Sequence, residues 1–288
     1  MSNTSIDQYV VVQWDDTIRL LAQQKESRLE NTILDKGTIT GGTFTANNLA
    51  PLEDMSENNV RHGDTEWADA EHSVRIGTMK DFFQALPLDK ADIPKLKVNP
   101  NGEYMQSLLA SWNRRKDKDI FNALLGRSQS KEGEFIELPA DQIILDGDTG
   151  FTKNKIIFAR KLFRKNESDQ HNGEELFIAY NSDMLEAVLS DTTLTSSDYL
   201  AVRMLQDGDM SGKWLGINWI PYEAVKHEQG ITTTAMWAKS AAYKGTGFIE
   251  GDIAKRPDKK NLLQTSMAAS YGVVRVEEKK VVAIKFKE

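Results

Sequence analysis

The chain has 288 residues and a formal net charge of −7, and 40% of its residues are hydrophobic. That apolar content suffices for one large folded domain or two ordinary ones and excludes a wholly disordered chain. The absence of cysteine excludes disulfides, thiolate metal sites and cysteine nucleophiles. The first residues have neither the basic region nor the long apolar stretch of a secretory signal peptide. No part of the chain contains a run of about 18 apolar residues, as a membrane-spanning helix requires, so we expect a soluble intracellular product.

Residues 6–30 are predicted to contain an amphipathic helix. Apolar side chains recur at three- and four-residue spacing at Val10, Trp14, Ile18 and Leu21, while charged and amide side chains occupy the other faces. Such a helix buries its apolar stripe, either by folding back on the core of its own chain or by lying against a neighbour. The sequence leaves both arrangements open.

A polar stretch follows at residues 35–71, rich in Gly, Thr, Asn, Asp and Glu. Its few large apolar side chains are Phe44, Leu49, Leu52, Val60 and Trp67. Compact domains rarely contain so long a weakly structured segment, so it is either a linker or an extended arm that works outside its own domain. We expect it to be mobile in the isolated subunit, because its few apolar anchors cannot offset the entropy cost of ordering it. Deleting residues 38–58 is therefore expected to spare the core. Residues 72–96 predict a strand or ribbon that returns to the core.

The strongest helical periodicity spans residues 103–125. Its apolar side chains share one helical face: Met105, Leu108, Leu109, Trp112, Ile120 and Leu124. At the usual rise of about 1.5 Å per residue, this spine helix would be about 35 Å long. Gly126 is placed to end it by adopting a left-handed backbone conformation.

A short strand is predicted at residues 135–138, a turn at 146–150, and a second helix from Thr152. The residues expected to face inward are Ile156, Ile157, Phe158, Ala159, Leu162 and Phe163. The other face is basic and contains no acid: Lys153, Lys155, Arg160, Lys161, Arg164 and Lys165. This face could contact phosphates without reading sequence, although a solvated surface or contact with an acidic neighbouring subunit is more common.

The following chain alternates between the two element types, which indicates an α/β or α+β arrangement. Strands are predicted at residues 176–180 and 214–220, and helices at 183–189 and 199–206, with Asp183 as the N-cap of the first helix.

The last stretch predicts a terminal β-hairpin. Apolar residues alternate at Val274 and Val276, a turn follows at residues 277–280, and alternation resumes at Val282 and Ile284.

Two motifs, one rich in glycine and one rich in acidic residues, partly match the sequence patterns of ligand sites. Gly245, Gly247 and Gly251 form GxGxxxG, one residue longer than the dinucleotide fingerprint and without its strand and helix, so we interpret it as a glycine-rich turn. Residues 207–218 resemble a calcium loop but place Asn218 where a bidentate Glu is required, which favours a simple turn.

Motifs for catalysis are missing as well. The chain has four histidines, and none of them are spaced as metal-binding pairs are: His62, His72, His171 and His227. There is no GxSxG elbow and no carboxylate pair that stands out. We therefore predict no catalytic residue, no cofactor-binding or metal-binding residue and no cofactor.

Three stretches carry a resemblance to a known family: FFQALPLDKADIPKLKVNPNGEYMQSLLASWNRRKDKDIFNALLG, YLAVRMLQDGDMSGKWLGINWI and ASYGVVRVEEKKVVAIKFKE. With the order of the predicted parts, they resemble the major capsid proteins of tailed bacteriophages with the Hong Kong 97-type fold, over nearly the whole chain. The resemblance implies an α+β fold with five parts: an N-terminal arm (1–30), an extended β loop with its return ribbon (31–90), a peripheral domain with the spine helix (91–170), an axial α/β domain (171–270) and a C-terminal β-hairpin returning to the peripheral domain (271–288).

The same resemblance implies a structural protein, not an enzyme. It implies self-assembly into hexamers and pentamers of an icosahedral phage head around double-stranded DNA, with arm and loop lying across neighbouring subunits. The protein would be part of the virion capsid and assemble in the host cytoplasm. Its partners would be further copies of itself, a portal protein, in some phages a decoration protein, and a separate scaffolding protein, since residues 1–30 are too few for a scaffolding domain.

Two details of that resemblance concern individual residues. Weak, sequence-independent DNA contact is expected at the basic helix face: Arg160, Lys161, Arg164 and Lys165. Some relatives cross-link a loop lysine to an asparagine of a neighbour, but neither Lys36 nor Lys80 matches that motif, so no cross-link is predicted. No membrane partner is expected.

Two alternatives remain open at this stage. A cellular encapsulin shell has the same fold and would also lack catalytic residues. An uncharacterised soluble α/β enzyme is the alternative of a different class, and it would behave as a small oligomer rather than a particle.

Overall fold

A computed structural model describes residues 23–52, 54, 55, 57, 67–89, 101–190 and 213–287. Within them lie three α-helices: α1 (Asn101–Leu125), α2 (Lys153–Lys165) and α3 (Ser182–Ser190). The strands of the described residues are, in chain order, β1 (Leu34–Thr38), β2 (Thr43–Leu49), β3 (His72–Thr78), β4 (Lys80–Leu88), β5 (Ser128–Ser130), β6 (Phe135–Ile136), β7 (Ile143–Ile144), β8 (Leu176–Tyr180), β9 (Lys213–Trp214), β10 (Ile217–Pro221), β11 (Lys226–Glu228), β12 (Ile231–Ala238), β13 (Ala242–Arg256), β14 (Leu262–Arg275) and β15 (Val281–Lys287). Most of the predicted N-terminal helix, the predicted helix at 199–206 and residues 207–212 lie outside the described residues.

These strands form three sheets. The central sheet has the order β7-β15-β12-β8-β10-β9, with β11 paired to β12. The long sheet has the order β1-β13-β14-β4, and the loop sheet has the order β2-β3-β5-β6. Few helices beside several mainly antiparallel sheets make this an α+β fold, as predicted.

The central sheet is covered on both faces, which explains the continuous apolar run of β8. Leu176, Ile178 and Tyr180 point into a cluster with α2 and α3. Phe177 and Ala179, between them, point into the cluster that contains α1. Since successive side chains of a strand alternate between its faces, a strand with helices on both sides needs apolar residues at every position.

Helix α1 packs against β14 of the long sheet and against the central sheet. Leu108 and Trp112 lie with Met267 and Tyr271 of β14 in one buried cluster, and the rings of Trp112 and Tyr271 meet edge to face at 5.8 Å. The same cluster includes Trp237 of the central sheet. The helix has 25 residues and begins two residues before its predicted start, so the predicted spine helix is confirmed. The prediction that Leu109 belongs to the buried face of this helix is wrong, because Leu109 is 48% exposed.

The end of α1 differs from the prediction. Gly126 is not among the described glycines with positive φ, so its proposed left-handed conformation is wrong. A glycine is needed there for space, since a Cβ would lie 2.6 Å from the carbonyl oxygen of Asn122. The buried guanidinium of Arg275 donates hydrogen bonds to the carbonyl oxygens of Leu124 and Gly126, and another to Ile136 at 3.0 Å. Arg275 thus satisfies helix-end carbonyls that have no partner within α1.

The interpretation of residues 245–251 as a turn is wrong, because they lie inside β13. The strand has a bulge between Thr246 and Ile249 where its register against β14 shifts. A Cβ on Gly247 would lie 2.8 Å from the Cβ of Ser270, and one on Gly272 would lie 2.7 Å from the carbonyl oxygen of Thr78. The glycines therefore permit close packing around the paired strands.

Two further strand predictions are corrected by the pairing. The predicted strand 214–220 is the β9–β10 hairpin, which turns at Leu215 and Gly216 with φ of 53° and 74°. Two successive positive φ values are typical of a tight type I′ turn. The predicted terminal hairpin is wrong, since β14 pairs with β13 and β4 whereas β15 pairs with β12 and β7. Alternation identified the end of β14 and the strand β15, but not their partners, and it missed the earlier part of β14.

Local predictions for the two short helices need smaller corrections. Asn181, not Asp183, caps α3, because its Oδ1 accepts a hydrogen bond from the backbone N–H of Met184 at 3.0 Å. On α2, Phe163 is buried as predicted, but Ile157 and Phe158 are 48% and 47% exposed. The predicted strand at 135–138 is confined to β6.

Residues 23–30 are held against α1 mainly by polar bonds to one carboxylate. Asp117 is fully buried and accepts hydrogen bonds from the side chains of Gln24 and Ser27 and from the backbone N–H groups of Arg28 and Leu29. Four donors compensate for the desolvation of this charge, which would otherwise be expensive to bury.

Glu30 forms a second polar connection to α1. Its carboxylate pairs with Lys116 of α1 and, at 3.4 Å, with Lys244 of β13. Burial alone would raise the pKa of Glu30, but the hydrogen bond and charge of Lys116, together with those of Lys244, lower it below its usual value. Asp35 also contacts Lys244, at 3.6 Å. The start of β1 is therefore fixed to the long sheet and to α1 together.

Two glycine substitutions at opposite ends of α1 should have opposite effects. Gly126→Ala forces the chain away from Asn122 where Arg275 holds it, so we expect a loss of about 1–3 kcal/mol in the free energy of unfolding. Gly102 has nothing within 4 Å of an added Cβ, so Gly102→Ala should stabilise the helix by about 0.5 kcal/mol. Denaturant unfolding of both variants measures the difference, and equal effects of the same sign would contradict this account of α1.

Replacing Glu30 should change how stability depends on pH. A carboxyl whose folded pKa is lowered stabilises the protein above its unfolded pKa of about 4.5, and this contribution is lost as pH falls through the folded pKa. Glu30→Gln should therefore reduce the free energy of unfolding by about 2 kcal/mol at pH 7, and by progressively less as the pH falls below about 4.5. Urea titrations across that range test this, with the exposed Glu134→Gln as control; a loss independent of pH would contradict it.

Candidate assembly surface

The base of the predicted extended loop is part of the core. β2 and β3 pair antiparallel from Thr43↔Thr78 to Leu49↔His72. Phe44 and Ala46 are buried with Val274 and Val276, and the Phe44 ring lies so close to Gly77 that a side chain there would clash. The prediction that residues 35–71 are weakly structured is therefore wrong for residues 43–49. Deleting residues 38–58 would remove Phe44 and Ala46 from the core, so the expectation that this deletion spares the core is wrong as well.

At the outer end of that base and beyond it, the loop exposes large apolar side chains. Leu49 is 59% exposed, Leu52 56% and Trp67 89%, and Met55 is fully exposed. We call these four residues the loop tip. Single exposed apolar residues are common on proteins, but four large ones on one extension are characteristic of a surface that another chain covers.

A buried charge cluster ties the loop base to the end of α1. Arg75 of β3 lies 3.3 Å from Glu278, which also accepts a hydrogen bond from Ser128 and lies 3.8 Å from Arg275. Burial lowers the pKa of Arg275, the charge of Glu278 opposes this, and the charge of Arg75 adds to it. One carboxylate, that of Glu278, therefore holds together two guanidinium groups. One belongs to Arg75 of the loop, and the other belongs to Arg275 of β14, which bonds the end of the spine helix.

A second exposed apolar surface lies on the long sheet. Phe248, Ile249 and Ile253 of β13 are 43%, 48% and 45% exposed. They begin at the bulge of β13 and continue along the strand. Sequence reasoning missed them because residues 245–251 were interpreted as a turn.

The basic face of α2 is smaller than predicted. Lys155 is buried, and its ammonium donates to four backbone carbonyl oxygens, those of Asp146, Thr149, Gly150 and Lys285, at 2.8–3.1 Å. Burial lowers the pKa of Lys155, and the charge of Asp146 opposes this. Lys155 therefore fixes the turn before α2 to the last strand instead of contributing to a surface.

The other basic residues of α2 are partly committed to partners. Arg160 donates to the carbonyl oxygen of Leu215, and Arg164 pairs with Asp169 at 2.7 Å. This pair raises the pKa of Arg164 and lowers that of Asp169. Lys161 and Lys165 are exposed, so they are the main charges of this face.

The remaining candidate residues lie apart. Lys36 lies 4.6 Å above the ring of Tyr243, and Lys80 is exposed at the start of β4. His72, His171 and His227 lie in separate elements, and the described residues contain no group of three or more His, Asp or Glu that could hold a metal. Within the same described residues, none of the helices has the length and apolar character needed to cross a membrane. What stands out among the described residues is the exposed apolar surface of the loop tip and of β13.

Comparisons with known proteins agree with this picture. A family model described as phage capsid protein matches residues 6–288. The cyanophage Pam1 capsid asymmetric unit is similar in structure, with a TM-score of 0.72 and 12% identity over 100% of this chain and 99% of that chain. The head structure of Helicobacter pylori bacteriophage KHP40 gives 0.72 and 11% over 99% and 97%, and Mycobacterium phage Che8 gives 0.69 and 13% over 96% and 97%. None of the curated proteins matches.

At such low identities the structural likeness shows the fold alone, and the fold is that of the Hong Kong 97-type capsids. The family model matches nearly the whole chain and belongs to structural proteins rather than enzymes. The chain therefore belongs to the phage capsid protein family.

Proposed function

We propose that this chain is the major capsid protein of a tailed phage and that it assembles as hexamers and pentamers into an icosahedral head around double-stranded DNA. The observation that carries the proposal is the β2–β3 extension, whose base is packed into the subunit while its tip exposes Leu49, Leu52, Met55 and Trp67. A protein whose extension is fixed at its base and apolar at its end is suited to contact a second copy.

The packing of the loop base supports contact of the loop tip with a neighbouring subunit. The loop base is fixed by Phe44 and by the Arg75–Glu278 pair, so the direction of the extension is set within each subunit. Burial of the exposed apolar side chains of the tip by a second chain is favourable, because it removes their apolar surface from water. Repetition of one such contact around a closed ring gives a symmetric capsomer.

The division of the subunit follows the resemblance and is part of the proposal. The arm comprises residues 1–30, the extended loop and ribbon 31–90, the peripheral domain 91–170 and the axial domain 171–270. The final segment, 271–288, ends as β15 beside β7 of the peripheral domain and β12 of the axial domain.

Other partners belong to the proposal as well. A separate scaffolding protein guides assembly in the host cytoplasm, a portal protein occupies one vertex, and a decoration protein binds the shell in phages that have one. Packaged DNA touches the inner surface weakly and without reading sequence. No membrane takes part.

Charging the loop tip should stop assembly without unfolding the subunit. In the double variant Leu52→Asp and Met55→Asp both side chains are exposed in the subunit, so thermal unfolding should be unchanged while the yield of particles falls at least tenfold. Phe44→Ala is the matched contrast, because loss of a buried ring should destabilise the subunit itself by about 3 kcal/mol. Sedimentation after co-expression with the scaffolding protein measures particle yield.

The outcomes of that experiment are distinct. Expression without the scaffolding protein should give few or aberrant particles. Normal particles from the double variant would show that the tip is not an assembly element. If the unsubstituted chain stays a compact monomer or dimer in solution scattering under every condition, including with scaffolding protein, the proposed function is wrong.

Free subunits should bind DNA weakly. The net charge of −7 opposes attraction to phosphates, and of the α2 face mainly Lys161 and Lys165 are available. The double variant Lys161→Gln and Lys165→Gln should make the slope of the logarithm of the binding constant against the logarithm of salt concentration less steep by about 2. The reason is that each phosphate contact releases about one counterion from the DNA, and two such contacts are lost. Gel shifts at several salt concentrations measure this, with the exposed pair Lys255→Gln and Lys259→Gln as control of equal charge. Tight, salt-resistant or sequence-selective binding would contradict it.

A further inference from the structure

The outer half of the β13–β14 hairpin combines exposed apolar and basic side chains. Beyond the bulge the two strands pair without a break for a length of about 25 Å, at the usual rise of about 3.3 Å per residue. Ile249 and Ile253 are 48% and 45% exposed, and the exposed Lys255 lies on the same face because alternate residues of a strand share a face. We call these three residues, with Lys259 and Lys260 of the turn, the hairpin surface.

The lysines of the hairpin surface are free to meet a partner. Lys255 and Lys260 form no salt bridge with any residue that the structure describes. Lys259 is exposed as well, whereas the nearby Arg256 is paired with Asp258 at 3.0 Å. The end of the hairpin therefore carries positive charge that the subunit leaves uncompensated, next to isoleucines that are half exposed.

The loop tip has the opposite charge. Residues 50–71 contain seven acidic residues and a single arginine, and none of the described residues in that range is basic. The exposed Asp54 is adjacent to Met55, and the exposed Asp69 follows Trp67 by two residues. The loop tip thus presents apolar side chains flanked by carboxylates, whereas the hairpin surface presents apolar side chains flanked by ammonium groups.

Helix α2 offers a second surface of mixed apolar and basic character, but its groups already have partners. Ile157 and Phe158 are half exposed, and the ammonium of Lys161 lies 5.8 Å from the centre of the Phe158 ring. Arg160 and Arg164 are bonded to groups of their own subunit. The unpaired lysines of the hairpin surface make it the better match for the acidic loop tip.

We propose that the loop tip of one copy binds the hairpin surface of a second copy. Apolar side chains of both surfaces leave water, and the carboxylates beside Met55 and Trp67 meet the lysines of the hairpin. Two loop tips, or two hairpins, repel each other, so the charges also select the correct pairing. Because the contact joins two different surfaces, it can repeat from copy to copy around a ring. This inference rests on the proposed function and adds the surface that receives the loop tip.

Charge reversal tests the pairing. Lys255→Glu with Lys260→Glu should lower the yield of particles about tenfold, because carboxylates would then face carboxylates. Adding Asp54→Lys and Asp69→Lys to the same chain should restore the yield to within about threefold of the unsubstituted chain. All four side chains are exposed, so thermal unfolding of the subunit should not change. Sedimentation after co-expression with the scaffolding protein measures the yield.

The matched control reverses two exposed lysines of α2. Lys161→Glu with Lys165→Glu changes the net charge by the same amount and should leave the yield of particles unchanged. Equal losses from the two lysine pairs would overturn the proposal. Failure of the loop reversal to restore the hairpin variant would overturn it as well, and restoration of the α2 variant instead would assign the loop tip to α2.

Disulfide formation in assembled particles tests the geometry, because the chain contains no cysteine. Met55→Cys with Ile253→Cys should link different chains into covalent oligomers on oxidation. Met55→Cys with Ile157→Cys, a position of similar exposure on α2, should leave the chains separate. Disulfides only within single chains, or equal linkage at both positions, would contradict contact with a second copy.

Failure of this contact and failure of the proposed function give different results. Normal assembly of both the unsubstituted chain and the Lys255 and Lys260 reversal would contradict the hairpin contact alone. An unsubstituted chain that never forms particles would contradict the proposed function.

Discussion

Burial of α1 between the long sheet and the central sheet is the contact on which the other parts of the subunit depend. Leu108, Trp112 and Leu124 lie in one cluster with residues of both sheets. A helix packed on two sides has few ways to move, so groups bonded to it acquire fixed positions. The N-terminal segment, the loop base and the connection to the last strand are all bonded to this helix or to its end.

Those attachments are mainly polar, and this has consequences for assembly. Asp117 holds residues 24–29, and Arg275 holds the last carbonyls of α1. Glu278 joins Arg275 to Arg75 of the loop. Buried polar bonds fix direction more strictly than apolar packing does, because each donor must meet its acceptor at a defined distance and angle. The subunit can thus present its loop in one orientation while leaving the apolar side chains of the loop tip largely exposed.

Sequence reasoning succeeded where the signal was local. The periodicity of α1 and the apolar run of β8 identified both elements, since neighbouring residues determine a helix stripe or a strand. It failed where a residue's role depends on a distant partner. Gly247 and Gly272 need space because of Ser270 and Thr78, and the alternation around Val282 could not reveal that β15 pairs with β12.

The assembly surface was predictable in the same partial way. The loop was expected from its composition, but the division between a buried Phe44 and an exposed Trp67 required the structure. Lys155 was assigned to a basic surface because its charge suggested solvation, and four carbonyl oxygens from two separate segments instead surround it. Burial of a charge depends on backbone groups that no local pattern displays.

Hydrogen exchange of the free subunit and of assembled particles tests the central claim, that the subunit is complete around α1 and leaves the loop tip for its neighbours. The account predicts strong protection of α1, β8 and β12 in both states. It also predicts that amides around Leu52, Met55 and Trp67 become protected only on assembly. Rapid exchange throughout α1 in the free subunit, or no change at the loop tip between subunit and particle, would contradict it.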